Sequence, residues 1–412
     1  MSSHYHFVCN DCGSDYPSEP FRYLCPLCES ENQPDQPPKG VLKMVYPYDE
    51  ILQNIPAKAR FEELKKNHFI DLLPIAKIES YGCLRIGETP VYQIHKLEGN
   101  KLKFNLFIKD DSQNPTFSFK DRASALVSAY ACEHGIEKIV AASTGNAGSS
   151  LAGICASQHQ NAIIIVPKNV PKAKLLQIIT YGATPVLVDG NYDVAFELSL
   201  EATRKFGWFN RNTAFNPLTI EGKKTVAFEI YDRFRENMPN LIFVPVGDGV
   251  IISGVYKGFE DLLKLQIIHK IPIIISVQSQ KSDNLNRNLN MEQFEIIPAT
   301  TVADSISVDI PRNFRMAEKY ITEYQGESIC VSDDEIIEAS AILARNSGVF
   351  AEPAASASMA GMLKYLKLNK LKEERNVLVL STGSGLKDLN TPLSRIVLPS
   401  PVYPSIDALK SL

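Results

Sequence analysis

From residue 104 onward, short apolar runs alternate with longer stretches of helical period. "KFNLFIKDD" reads as a strand. "FKDRASALVSAYACEHG" follows it, with apolar residues at 119, 123, 126, 127 and 130 and a glycine stop at Gly135, a helical spacing. "KIVAAS" is a short buried strand, and "TGNAG" leads into a helix of small residues. "NAIIIVP", "PKAKLLQIITYG" and "TPVLVDG" continue as strand, helix and strand. After "VAFELSLEATRKFG" and "WFN" come the strand "LIFVPVG", the helix "ISGVYKGFEDLLKLQ", the strand "IPIIISVQS" and a late strand "NVLVLST". Apolar strands alternating with helices predict an α/β chain whose parallel sheets are covered on both faces. No internal repeat of fixed period is present.

The first hundred residues are different. Residues 41–98 are mixed, with a charged helical segment near 57–67 and a loop at "YGCLRIGETP". The polar, proline-rich "ESENQPDQPPKG" reads as a linker, taken as 31–40. Ahead of it stand two knuckles, Cys9-x-x-Cys12 and Cys25-x-x-Cys28. Four thiolates on two short facing turns suit tetrahedral Zn²⁺, and the twelve residues between the pairs allow a small hairpin. Gly13 and Pro26 fit tight turns. Residues 1–30 are therefore expected to form a zinc-ribbon-like module with Cys9, Cys12, Cys25 and Cys28 as ligands. With no open coordination position, the metal would support folding and not catalysis. A ribbon that has lost its metal and a redox pair remain as alternatives.

Composition narrows the field. The chain has 412 residues, 44% of them hydrophobic, and a net charge of −4, which is ordinary for a globular protein with large cores. No basic tract marks a nucleic-acid or anionic-membrane surface. The runs "AIIIVP" and "LIFVPV" are too short to span a bilayer. "MSSHYHFVCNDCG" lacks the basic and apolar regions of a signal peptide. A cytoplasmic location, with neither nucleic acid nor membrane as partner, is the expectation.

Ligands of doubly wound sheets bind outside the carboxyl ends of strands, so the loops there are candidates for one shared site. "AASTGNAGSS" (141–150) offers small residues, the Ser143 and Thr144 hydroxyls and a helix N-terminus suited to a carboxylate or phosphate. "VPVGDGVIISG" (244–254) opens a helix with Gly247 and Gly249, a second anion cradle, although the charge of Asp248 must turn away from any anion held there. "LSTGSGLKD" (380–388) places the neutral Thr382 hydroxyl at a strand end. "GVFAEPAASASMAG" (348–361) puts Pro353 at a helix start and Glu352 where a helix dipole favours a carboxylate. Each loop alone also reads as an ordinary turn. The same holds for Lys120 in "NPTFSFKDRAS", which by itself is a charged first helical turn.

Taken together, "PTFSFKDR", "STGN", "EPAA" and "GLKD" resemble the tryptophan-synthase-β-like family of pyridoxal-phosphate enzymes, fold type II, and within it the threonine synthases. The resemblance covers about residues 80–390, and threonine-synthase-like chains can also carry a cysteine-rich N-terminus. It implies an α/β fold of two doubly wound parallel-sheet domains behind the zinc-ribbon-like module. It implies pyridoxal 5'-phosphate as cofactor, an amino acid as small-molecule substrate, and a homodimer. Lys120 would form the cofactor aldimine and then move protons. Asn146 would bond the ring 3′-oxygen, and the backbone of Gly247, Asp248, Gly249, Val250 and Ile251 would hold the cofactor phosphate. Thr382 would face the pyridine nitrogen, which favours elimination and replacement over transamination. Ser143, Thr144, Asn146 and Ala147 would surround the substrate carboxylate, while Asp121 and Arg122 would pin the helix start.

The resemblance implies one reaction above others: O-phospho-L-homoserine and water to L-threonine and phosphate. Yet "NPLTIEG" carries Thr219 where that family commonly has an arginine for the substrate phosphate. Ala214 and Ala147 stand where it often has hydroxyls, and "GDGVIISG" looks like a dehydratase-type loop. Lys223, Lys224 or Arg211 could cover the lost charge. The alternatives are a serine/threonine dehydratase, an O-phosphoserine-using cysteate-synthase-like enzyme, or a non-catalytic interaction protein. The expected division is a smaller α/β domain at 100–213 and a larger, cofactor-binding one combining 41–99 with 214–412.

Overall fold

The apolar runs sort into two sheets, and the cysteine knuckles into a third, in the computed structural model, which describes residues 4–143, 145–168 and 172–393 and, beyond them, 399–401, 404 and 406. Strands β1 (His6–Cys9), β2 (Asp15–Pro17) and β3 (Leu42–Val45) form an antiparallel sheet in the order β2-β1-β3. The N-terminal module thus takes its third strand from beyond the proline-rich stretch. Residues 31–40, read from composition as a linker, fold back onto the knuckles. Asn32 clamps the Lys39 main chain, the Cys25 N–H donates to the Gly40 carbonyl at 2.8 Å, and the Gly40 N–H donates to Asp11 at 2.7 Å. Prolines and short polar side chains make this a compact return loop.

Next come a hairpin, β4 (Val91–Leu97) with β5 (Asn100–Asp110), and then β6 (Lys138–Ala142), β7 (Asn161–Pro167), β8 (Thr184–Val188) and β9 (Phe209–Asn210). These last four make a fully parallel sheet in the order β8-β7-β6-β9. Strands β10 (Leu241–Pro245), β11 (Ile273–Ser279), β12 (Glu327–Val331) and β13 (Asn376–Ser381) join the hairpin in a six-stranded sheet, order β12-β11-β10-β13-β5-β4. All its pairs are parallel except β4 with β5. Residues 100–110, assigned to the smaller unit from the sequence boundary, therefore belong to the larger sheet, where Leu106 pairs with Val377. An apolar run records that a strand is buried, not which sheet buries it. Both sheets reverse direction once, between β6 and β9 and between β10 and β13. These are the switch points where such folds leave a crevice.

Helices cover the faces. Lys120–Glu133 packs between Asn146–Ser157 and Leu218–Phe234. The crossing with the 218–234 helix is nearly backbone to backbone, because a Cβ on Gly222 would lie 2.2 Å from the Arg122 carbonyl oxygen. Arg122 is buried and bonds Asp111 at 2.6 Å and Glu229 at 2.5 Å, and Lys109 also reaches Glu229. A second buried network ties the 218–234 helix to Val250–Lys264. Lys224 pairs with Glu221 (2.5 Å) and Asp261 (2.7 Å), Lys257 also pairs with Asp261, and Tyr48 and Tyr46 donate to Asp261 and Glu221. Among the described residues no helix is long and apolar enough to cross a membrane.

Candidate active site

Lys120 begins its helix directly after a loop bolted to the end of β13. The Phe119 N–H donates to the Thr382 carbonyl at 2.8 Å, and the Ser384 N–H donates to the Phe117 carbonyl at 3.1 Å. Asp121 closes the helix start by accepting from the Thr116 N–H at 2.7 Å and from its hydroxyl. The backbone at Lys120 is thus fixed by main-chain bonds at Phe117 and Phe119 before it and by the Asp121 carboxylate after it. Burial lowers its ammonium from the ordinary lysine range to about 8; Glu352 opposes that shift, Arg211 adds to it, and Asp248 opposes it.

The loop after β6 faces it from the smaller sheet. Ser143 is buried and accepts from the Gly145 N–H at 3.2 Å. Gly148 keeps this turn tight, since a Cβ there would lie 2.7 Å from the Ser143 carbonyl oxygen. Asn146 opens the 146–157 helix and donates to Glu352 at 2.7 Å and to Ser305 at 3.4 Å. Ala147 lies in the same first turn, half-buried. Thr144 lies outside the described residues.

After β10, Gly247–Ile251 form the start of the 250–264 helix. Gly249 caps it at φ +83°, a left-handed conformation that glycine adopts without strain. Asp248 turns towards the main chain of the 312–313 turn, accepting from the Arg312 N–H at 3.3 Å. Burial raises its carboxyl, and Arg312 opposes that shift. Thr382 is buried at the end of β13, and beside it the Ser381 hydroxyl is buried with no hydrogen-bond partner among the described residues. Lys120, the 247–251 turn and Thr382 thus follow the carboxyl ends of β5, β10 and β13, adjacent strands of the larger sheet, while Asn146 follows β6 of the smaller sheet and reaches them through Glu352, whose N–H donates to the Gly383 carbonyl at 3.1 Å. Glu352, quoted from sequence only as a helix-cap carboxylate, joins them through its bond to Asn146. Ser305 carried no sequence signal at all.

These residues fit pyridoxal phosphate. A buried amine with a lowered pKa can exist in its unprotonated, nucleophilic form near neutral pH. A glycine-lined N-terminus of a 15-residue helix offers free N–H groups to a phosphate. The strand-end hydroxyls of Thr382 and the orphaned Ser381 provide neutral polar contacts.

Around the same crevice the basic residues divide sharply. Lys224 is fully committed to Glu221 and Asp261, so it is not free to meet a ligand. Arg211, at the end of β9, donates to Ser124 (3.1 Å), Thr213 (3.4 Å) and the Lys120 carbonyl (3.5 Å). Thr219 is buried and gives its hydroxyl to the Asn216 carbonyl at 2.8 Å. Ala214 is buried in a left-handed turn at φ +63°.

In the N-terminal module the sulfurs of Cys9, Cys12, Cys25 and Cys28 lie within 4.8 Å of one another.

Comparison with known proteins agrees with this geometry. The model of the family described as "Pyridoxal-phosphate dependent enzyme" matches residues 83–383. The chain is 31% identical over 98% of its length, and 98% of the relative's, to the threonine synthase of Methanocaldococcus jannaschii. It is 30% identical to that of Methanosarcina acetivorans, again over 98% of both chains. In fold it is similar to the processed form of threonine deaminase isoform 2 from Solanum lycopersicum, with a TM-score of 0.64 and 24% identity over 72% of this chain and 79% of that one. With three quarters of its length matched by the family and two relatives aligned almost end to end, this chain belongs to the pyridoxal-phosphate dependent enzymes.

Proposed function

We propose that the chain is a threonine synthase, converting O-phospho-L-homoserine and water to L-threonine and phosphate. The observation that carries this reading is the similarity to a protein of that name along 98% of both chains. Bound pyridoxal phosphate supplies an electron sink that makes protons on the substrate's backbone and adjacent carbons removable. Lys120 holds the cofactor and, with its ammonium near 8, exchanges protons with those carbons around neutral pH. The N–H groups of Gly247–Ile251 hold the cofactor phosphate. Asn146 fixes the cofactor ring and is itself oriented by Glu352. Thr382 meets the ring nitrogen with a neutral hydroxyl, which favours elimination over transamination. Ser143, Thr144, Asn146 and Ala147 receive the substrate carboxylate at the start of the 146–157 helix. In this reading the enzyme works as a cytoplasmic homodimer, with its cofactor between the larger and smaller units.

Structural zinc completes the proposal. Tetrahedral Zn–S bonds of about 2.3 Å require sulfurs about 3.8 Å apart. Cys9 and Cys28 are separated by 3.8 Å, and Cys12 and Cys25 by 3.7 Å.

A second reading, a serine/threonine dehydratase or an O-phosphoserine-using enzyme, is favoured by Ala147, Ala214 and Thr219 at positions where hydroxyls and an arginine are expected. The test is to incubate cofactor-loaded protein with O-phospho-L-homoserine and assay inorganic phosphate and threonine together. Equal yields, both lost in Lys120→Ala, are expected. Neither product from fully loaded protein, with turnover of L-serine, L-threonine or O-phospho-L-serine instead, would select the second reading.

A further inference from the structure

Among the described residues, several buried or half-buried lysines and arginines are matched by carboxylates. Arg122 and Lys109 share Asp111 and Glu229, Lys224 and Lys257 share Asp261, and Lys43 holds Glu260. Arg60, Arg211 and Lys223 are not; Arg60 spends its donors on three main-chain carbonyls, those of Leu52, Ile55 and Leu265. Arg211 is 1% exposed, and its donors meet two hydroxyls and a carbonyl, all neutral acceptors. Lys223 is equally buried, and its Nζ has no hydrogen-bond partner among the described residues. No carboxylate among those residues lies within ion-pair distance of either. Burying basic side chains without a counter-ion is costly, so both Arg211 and Lys223 would gain from an anion held between them.

The two belong to one place. Arg211 donates to the Lys120 carbonyl, and the helix carrying Lys223 packs against the helix that Lys120 begins, so Arg211 and then Lys120 are the charges that weigh most on Lys223. Burial and these neighbours push the Lys223 ammonium far below the usual lysine range, and burial brings Arg211 down to about 10. Arg211 follows β9, next to β6, whose exit loop carries Ser143. It therefore lies on the smaller-sheet side of Lys120, whereas the phosphate-binding turn after β10 lies on the other. Lys223 stands four residues after Thr219 on one helix face, and helical side chains lean towards the N-terminus. Its amine is thereby carried back over Thr219 towards the turn at Ala214.

We infer that Arg211 and Lys223 form a basic subsite for a phosphate monoester on the side chain of the amino-acid substrate. The inference rests on the proposed reading of the chain as an enzyme of phosphorylated amino acids. It locates the charge that Thr219 fails to provide, and it excludes Lys224, the residue next in sequence. A guanidinium gives paired, directional donors to phosphate oxygens, and an ammonium adds a point charge.

The experiment uses the cofactor-loaded enzyme and follows its visible absorption during titration with O-phospho-L-homoserine, O-phospho-L-serine, L-homoserine and L-serine. At least one phosphorylated amino acid is expected to half-saturate at about tenfold to hundredfold lower concentration than its plain counterpart, as for a charge-assisted contact. Lys223→Gln should reduce that preference at least about tenfold, leave the plain amino acids within about twofold, and leave cofactor content unchanged. Lys223→Arg should restore the preference. Because Lys223→Met removes a buried amine that has no hydrogen-bond partner among the described residues, the ligand-free holoenzyme should melt higher, not lower. The inference fails if Lys223→Gln and Arg211→Lys both keep the phosphate preference. It fails equally if Lys223→Gln releases the cofactor, because the ammonium then serves the cofactor's phosphate. Retained phosphate preference without threonine formation keeps the subsite and rejects threonine synthesis. Threonine formation with unchanged half-saturation in Lys223→Gln does the reverse.

Discussion

Replacing Asp261 by asparagine tests the charge network that fixes the 218–234 helix against the 250–264 helix. Asp261 is fully buried. Lys224 lies 2.7 Å from one of its oxygens, while Lys257 and the Tyr48 hydroxyl (2.6 Å) reach the other. Burial alone would raise its carboxyl; Lys224 and then Lys257 overcome that and hold it down at about 2, against an ordinary value of 3.8. A depression of this size corresponds to a few kcal/mol, about 2–3, of folded-state preference for the carboxylate. The substitution also leaves the Lys257 amine with the Tyr48 hydroxyl, 3.2 Å away, as its remaining hydrogen-bond partner among the described residues. Stranding a buried cation costs about 3–5 kcal/mol, so we expect Asp261→Asn to lose about that much. In urea this is a fall of about 1 M or more in the unfolding midpoint, for a slope of 1–3 kcal/mol/M. The pH dependence has a defined sign. A carboxyl depressed in the folded state stabilises fully above pH ~4 and loses that contribution as pH falls towards 2. Wild-type protein should therefore show this acid-side loss, and Asp261→Asn should lack this component. Urea unfolding monitored by circular dichroism at neutral and acidic pH measures both. A loss below about 1 kcal/mol, or an unchanged acid slope in the variant, would show that the ion pairs do not act as a unit.

Two further outcomes are expected. Gly249→Ala places a Cβ on a φ of +83°, 3.0 Å from Leu285 and 3.1 Å from Ala317; it should weaken pyridoxal-phosphate retention about tenfold, measured by equilibrium dialysis, and unchanged retention would remove the 247–251 turn from the phosphate site. Cys28→Ser should abolish bound zinc by elemental analysis and lower the thermal midpoint, and a chelator should reproduce that fall in wild-type protein but not in the variant.

Much of this architecture was legible in local sequence. The period of apolar residues identified the strand at 241–245 and the helices at 120–133 and 250–264, because each side-chain pattern is set by its own backbone geometry. Pairing partners were not, since they depend on residues far away in the chain. Nothing in "VYQIHKL" says that it lies antiparallel to β5, and nothing in "LKMV" says that it completes the cysteine module. The candidate site divides in the same way. Lys120 and the glycine turns announce themselves through residue types that chemistry needs. The bond between Asn146 and Glu352 joins positions 206 apart. Lys223 and Lys224 are adjacent and chemically identical, yet about 100° of helical rotation puts one against two carboxylates and leaves the other without any.

The position of the N-terminal module has a consequence for solubility. Strand β9 is two residues long and forms the outer edge of the smaller sheet. An open edge of this kind is a template onto which another chain can add a strand. Here the Tyr23 hydroxyl accepts from the Asn210 N–H at 2.9 Å, Tyr23 stacks on Phe215 at 4.6 Å, and Phe21 meets Phe209 edge-on. The cysteine-bearing module thus shields the sheet from strand addition at the very strand that leads into Arg211. Loosening it would uncover the Asn210 N–H and the Phe209 and Phe215 rings to contact with another chain.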